Sequence, residues 1–344
     1  MISRVADHCF WLGRYLERAE STARVLAVTK NLSLDAGLPP ERCWLPVVIV
    51  SGEQERFPAE PEGAADEGGA PRGFDGEAVQ AYMTWERDNP TAIARSVGAV
   101  RDNVRSIREV VSREAWETVN EHWLWLESDA GRRAWNEDRD GFYRRVRDAT
   151  QLCLGVVDGT MLHDEPLDFL WLGVMLERLS QTARVLDVHH HAVSNISSSY
   201  ANGLSQQSQS QSQSQGGSSH QVVETALWLA LLRACSGSEA YMKRHQGRVT
   251  AQSVASFLFF ELRFPRSVRF CAHAALSRLQ RIRPPHERDL PGGRSLERLK
   301  ALETWLSVRT SETTEREHLH GALTHVVDEA HDVCNEISQE LLGG

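Results

Sequence analysis

Glutamate and arginine recur at helical spacing in one short stretch near the start of the chain. Glu17, Glu20 and Arg24 follow one another at steps of three and four, on a stripe with Gly13, Arg14, Ser21 and Val28. Leu12, Leu16, Ala19, Ala23 and Leu26 take the opposite side of a helix turning 100° per residue. A carboxylate beside a guanidinium group could act as a general base next to a holder of substrate carboxylate or phosphate. The same spacing is that of an exposed pair four residues apart, worth about 0.3 kcal/mol. A third reading is an internal polar seam, in which every buried charge must find a partner.

A second copy of the stretch makes it more than one amphipathic helix. Trp11-Leu-Gly-Arg-Tyr-Leu-Glu-Arg-Ala-Glu-Ser-Thr-Ala-Arg-Val-Leu26 returns 160 positions later as Trp171-Leu-Gly-Val-Met-Leu-Glu-Arg-Leu-Ser-Gln-Thr-Ala-Arg-Val-Leu186. Gly173, Glu177 and Arg184 repeat Gly13, Glu17 and Arg24, while Ser180 stands where the first copy has Glu20. The candidates for catalysis are therefore Glu17, Glu20, Arg24, Glu177 and Arg184.

Arginines on another helix could complete a ligand pocket. Arg101, Arg105 and Arg108 share a stripe at steps of four and three, while Arg95 lies off it. The counterpart segment carries Arg266, Arg269 and Arg278. Near a helix N-terminus such a cluster could hold phosphate or carboxylate; solvated helix surface is the plainer account. Arg101, Arg105, Arg108, Arg266 and Arg269 are the ligand-binding candidates. If a pocket exists, the expectation is that Glu17, Glu20 and Arg24 face Arg101 and Arg105.

Other chemistries find less support. His189, His190 and His191 are consecutive and point three ways on a helix, and Glu315-x-x-His318 and Asp328-x-x-His331 fall short of the two Glu-x-x-His pairs and two further Glu of a di-iron bundle. No metal site and no cofactor are expected. The Gly-Gly pairs at 216–217 and 292–293 lack the pattern of a phosphate-binding loop. Six cysteines are scattered with no Cys-x-x-Cys pair, so they read as reduced and mostly buried.

The elements that must position these residues read as helices nearly throughout. An apolar period near 3.6 persists over residues 2–31 without proline. Leu45-Pro-Val-Val-Ile-Val50 has local strand propensity but no partner strand, and reads as buried helix or extended loop. Residues 52–76, rich in Gly, Glu, Pro and Ala, read as a disordered linker. Helical periodicity returns over 77–86, from Pro90 to about Ser112, from Arg113 to Leu126, and from Arg139 to about Thr160. Glu165-Pro166 starts the repeat helix, expected to end at His191, and the Gln-Ser tract 202–219 reads as a second disordered linker. Helices then follow over 222–235, 238–245, 250–262, 265–283, 295–308 and 312–342.

The repeat extends beyond its first stretch. Val79 to Val97, around Asn89-Pro90, lines up with Val254 to Ala272, around Phe264-Pro265, at an offset of 175. The fold class is all-α: a duplicated helical bundle of two pseudo-symmetric halves, 1–160 with linker 52–76 and 161–344 with linker 202–219. A repeat of this length is a duplication and not a solenoid.

Composition bounds the function. With 41% hydrophobic and 25% charged residues the chain is an ordinary globular one. A net charge of −9 argues against nucleic acid as the main partner. No apolar run approaches the roughly 20 residues of a membrane span, and the first residues lack signal-peptide organisation. A cytoplasmic protein with no membrane partner is expected.

Taken together, Arg4-Val-Ala-Asp7, Trp11 to Glu20, Thr22-Ala-Arg24, Arg87-Asp-Asn-Pro90, Val100-Arg-Asp102, Arg113-Glu-Ala-Trp116, Leu176-Glu-Arg178, Thr182-Ala-Arg184 and Arg263-Phe-Pro-Arg-Ser-Val268 resemble the bacterial Alpha-E domain proteins. The resemblance runs over the chain except the two linkers. It implies an all-helical fold and a place beside, or fused to, a circularly permuted ATP-grasp protein, often with a transglutaminase-like peptidase nearby. The implied function is that of an accessory or partner in ATP-dependent amide ligation or peptide modification. The alternative is an enzyme in which Glu17 or Glu20 is general base and Arg24 or Arg101 holds an anion.

Overall fold

The computed structural model describes residues 3–35, 39–57, 75–206, 215–286, 290–309 and 319–343. In chain order the helices are α1 (Ser3–Asp35), α2 (Pro40–Ser51), α3 (Gly76–Trp85), α4 (Ile93–Ser106), α5 (Arg113–Glu127), α6 (Asp129–Glu137) and α7 (Arg139–Thr160). There follow α8 (Glu165–Gln206), α9 (Gln215–Ala234), α10 (Ser238–His245), α11 (Ala251–Phe260), α12 (Val268–Ile282), α13 (Gly293–Ser307) and α14 (Leu319–Ile337), which ends in a π turn, Ser338–Leu342. No strand occurs among the described residues.

Two long helices form the axis of the molecule. α1 and α8 pack on each other more extensively than any other pair. Around α1 stand α4 and α7, bridged by α5; around α8 stand α12 and α14, bridged by α13. α2 and α9 each touch both central helices. Being covered from several sides, α1 buries its charged stripe as well as its aliphatic one, so Glu17 and Glu20 are as buried as Leu12 and Leu16. The solvated-face reading is overturned for that reason.

Local chemistry sets the starts. Asp75, Ser112, Ser128, Asp138 and Ser267 each accept a hydrogen bond from a backbone N–H of the helix they cap. Thr250 and Ser253 form a reciprocal capping box.

Several boundaries differ from expectation. Leu45 to Val50 is not among them: it takes the buried-helix form of the two expected, within α2, whose Pro46 lies inside the helix, and the apolar run is satisfied by burial of Trp44, Val47 and Val48. α6 was not expected and is short enough to be masked by the Trp-rich run before it. α4 starts at Ile93 and not at Pro90, because Asn89 Oδ1 accepts from both the N–H and the hydroxyl of Thr91 and makes a turn there. α12 likewise starts at Val268, beyond Pro265.

The linkers are shorter than composition suggested. Glu53 and Phe57 are buried, Tyr82 donates to Glu53 at 3.2 Å, and Phe57 packs edge-on against Tyr82. α8 continues past His191 to Gln206 and α9 begins at Gln215, so parts of the Gln-Ser tract extend existing helices, which costs less than nucleating new ones. Residues 58–74 and 207–214 lie outside the described residues, as do Glu315 and His318.

Candidate functional site

The site is built where α1 and α8 cross. At Gly13 an added Cβ would overlap the Leu170 carbonyl oxygen and stand 3.0 Å from its carbon. At Gly173 it would overlap the Phe10 carbonyl oxygen and again stand 3.0 Å from the carbon. Glycine at both positions lets the two backbones touch. One helical turn further on, that approach brings Glu17 and Glu177 within reach of arginines on the opposite helix.

Glu17 accepts from Arg178 Nη2 of α8 at 2.7 Å and from Arg266 Nη1 at 2.6 Å, with Ser21 at 3.3 Å. Glu177 accepts from Arg14 Nε at 2.8 Å and from Arg18 Nε at 2.7 Å, both on α1, with Gln181 at 3.3 Å. Glu20 takes Arg24 from its own helix, Arg266 at 2.9 Å and Gln151 of α7 at 3.3 Å. The carboxylates are 0%, 3% and 1% exposed in that order, which removes solvent as a partner.

The contacts come in matched sets. Arg18 pairs with Glu177 as Arg178 pairs with Glu17. Arg18 also donates to the Pro90 carbonyl at 3.4 Å, and Arg178 to the Pro265 carbonyl at 3.3 Å. Thr22 donates to the Thr91 carbonyl and Thr182 to the Arg266 carbonyl.

Electrostatics follow from burial and pairing together. Burial pushes both Glu17 and Glu177 up, but the guanidinium groups outweigh it, Arg178 and Arg266 for Glu17, Arg18 and Arg14 for Glu177. Both carboxyls are held below the usual range, Glu177 far below, and stay ionised. Burial lowers Arg184; Glu177 opposes this, and Arg18 and Arg14 lower it further. Such an arrangement locks two helices together. A general base must come within about 2.6–3.2 Å of its proton, and Glu17, with no exposed surface, is closed to a substrate.

The expected pocket does not form as drawn. α4 turns Val97, Val100 and Val104 inward, which places Arg101 and Arg105 away from the glutamates. Arg101 donates to Asn120 at 2.9 Å and lies over Trp123, Arg105 is exposed beside Asp102, and Arg108 lies over Trp116. Arg266 is the ligand-binding candidate that reaches the glutamates, as an internal partner. Arg269 Nε is buried without a partner.

Sequence reasoning missed Arg14, Arg18 and Arg178 as partners. Arg18 and Arg178 follow Glu17 and Glu177 directly, so within one helix they point about 100° away from them. The signal was their repetition at the same offset as the glutamates.

Recesses among the described residues lie around this frame. An open groove of about 460 Å3 beside α4 is lined by Tyr15, Trp85, Arg87, Arg95, Trp123 and Arg132 among others. A recess of about 230 Å3 lies between the end of α1 and α9, at Leu32 and Leu229. One of about 20 Å3 lies beside the seam, at Ser21, Ser51 and Gln181. Among the described residues, no group of three or more His, Cys, Asp or Glu converges as for a metal ion, and no helix is long and apolar enough to cross a membrane.

Comparison with known proteins agrees with the resemblance. The matching family model, over residues 1–342, is that of Alpha-E, described as a predicted alpha-helical domain with a conserved ER motif. A protein of Mycobacterium bovis and one of Mycobacterium tuberculosis are each 24% identical to the chain over 301 residues, and one from a second Mycobacterium tuberculosis strain is 23% identical. All three are named only as uncharacterized proteins. Each match covers 84% of this chain and 30% of the relative, so the matched part is under a third of those proteins. No solved structure matches the chain.

Proposed function

The chain belongs to the Alpha-E family, and on that premise we propose that it is a cytoplasmic accessory unit of an amide-ligating or peptide-modifying system, binding a circularly permuted ATP-grasp protein or its peptide substrate. A transglutaminase-like peptidase is a further partner in this reading. The observation that carries it is the seam: its three carboxylates are buried and engaged by guanidinium groups, which leaves none to serve as the base the enzymatic alternative needs. Matching about 30% of each relative also suits a unit that works joined to other domains.

In this reading the chain is a duplicated bundle, residues 1–160 and 161–344, about a pseudo-two-fold axis through the helix crossing, where Gly13 meets Leu170 and Gly173 meets Phe10. The matched contacts of Arg18 and Arg178 support it, as does the like packing of α4, α5 and α7 on α1 and of α12, α13 and α14 on α8. The ER motif is then Glu17-Arg18 and Glu177-Arg178, each glutamate taking the other's arginine. Partner contact falls to the aromatic and arginine groove beside α4, where Trp85 and Trp123 offer flat apolar surface and Arg87 and Arg95 offer charge.

The test is co-expression with a circularly permuted ATP-grasp protein from the same genome, followed by pull-down and ATP-turnover assay. A complex that alters ATP turnover supports the accessory reading. No complex, together with peptide turnover by the isolated chain, overturns it in favour of the enzyme.

A further inference from the structure

Arg184 stands 160 positions beyond Arg24. Arg24 is neutralised by Glu20, four residues before it on the same helix. Four residues before Arg184 the chain has Ser180. The guanidinium of Arg184 carries five donors, and among the described residues none of them has a hydrogen-bond or ion-pair partner.

Its surroundings add to the imbalance. Six guanidinium groups gather around three carboxylates at the seam, and Arg14 and Arg18 both act on Arg184 unfavourably. Glu177 compensates in part, by charge and without a hydrogen bond to Arg184, and the C-terminal end of α2 is also near: Nη1 of Arg184 lies 4.0 Å from where a Cβ on Gly52 would sit. A helix end carries about half a negative charge, less than the full carboxylate that Glu20 gives Arg24.

The recess of about 20 Å3 is lined by neighbours of this arginine and not by Arg184 itself. Ser51, just before Gly52, lines it, and so does Gln181, three residues before Arg184 and on the same side of α8. Gln181 donates one amide hydrogen to Glu177 and has a second to give. Val25, Val47, Val50 and Met83 make the remainder apolar. Space of this size admits one water-sized polar group, which suits a carboxylate oxygen better than a phosphate.

We propose that Arg184, with Gln181 beside it, is the binding site for the terminal carboxylate of a short peptide, a carboxylate that takes the place Glu20 fills for Arg24. The inference does not rest on the accessory reading, since it is tested on the isolated chain and without an ATP-grasp partner.

The probes are N-acetyl-alanyl-alanine, its C-terminal amide and inorganic phosphate, titrated calorimetrically into the full chain. The free acid binds and the amide does not. Arg184→Gln weakens the acid at least about tenfold, the value of one charge-assisted hydrogen bond. Ser180→Glu restores the carboxylate missing from this copy, occupies Arg184 from within, and abolishes binding in a chain that melts no lower than the parent. Equal binding of acid and amide, phosphate binding as tightly as the acid, or an undiminished affinity in Arg184→Gln each overturns the assignment.

Discussion

Arg178 on α8 donates to Glu17 on α1 at 2.7 Å, while Arg18 on α1 donates to Glu177 on α8 at the same distance. The two exchanges tie the central helices by charge one helical turn beyond their closest approach. Both carboxylates are almost wholly out of water, so the pairing has to be complete for the charges to be tolerated.

Removing one partner leaves buried arginines without a counter-charge. Glu17→Gln is expected to lower unfolding free energy by about 3–5 kcal/mol, the usual cost of breaking a buried pair. Chemical denaturation measures it. A stable Glu17→Gln protein that has lost activity on a peptide would instead place Glu17 in a catalytic role.

The glycines at the crossing make a second prediction. Alanine in an open helix position is favoured over glycine by about 1 kcal/mol, and Gly98 of α4, with nothing within 4 Å of an added Cβ, should show that gain. At Gly13 the same substitution meets the Leu170 backbone, so Gly13→Ala is expected to destabilise by about 1–3 kcal/mol, as overpacking does. Thermal melts of the two variants should move in opposite directions.

His122 predicts a pH dependence. Burial, and Arg145 secondarily, lower it to about 4, and neither ring nitrogen has a partner. The unfolded chain binds this proton at the ordinary histidine value of 6.5, the folded one only near 4. The histidine's contribution is therefore complete above about 6.5 and falls away as pH drops toward 4. Glu17 and Glu177, held below the ordinary 4.5, add a further loss as pH falls below that value and through their folded ones. His122→Phe should flatten stability between pH 6.5 and 4, and leave the steeper acid limb in place.

The groove beside α4 separates binding from folding. Arg95→Glu reverses a charge on its lining, at a residue that makes no ion pair among the described residues. If the proposed ATP-grasp partner docks there, it should weaken capture of that partner while leaving the melting temperature within about a degree, since surface changes stay near ±0.5 kcal/mol. An unchanged pull-down would remove the groove from the partner interface.

The sequence by itself determined the all-helical class, because an apolar period of 3.6 runs through almost every segment outside the linkers. It also marked Glu17, Arg24, Glu177 and Arg184 as residues to watch, because the repeat keeps them at one offset. What it could not determine is which arginine meets which glutamate. Helical geometry separates Glu17 from Arg18 and offers Arg24 instead, and only the crossing of α1 over α8 brings Arg178 to Glu17 and Arg18 to Glu177. The Arg101 and Arg105 pairing failed for a similar reason: α4 spends its inward face on Val97, Val100 and Val104. Burial was the other decision made by tertiary structure. A Glu and Arg stripe reads as a wet surface on a wheel, and packing α8 and the Arg266 turn over it turned it into the inside of the protein.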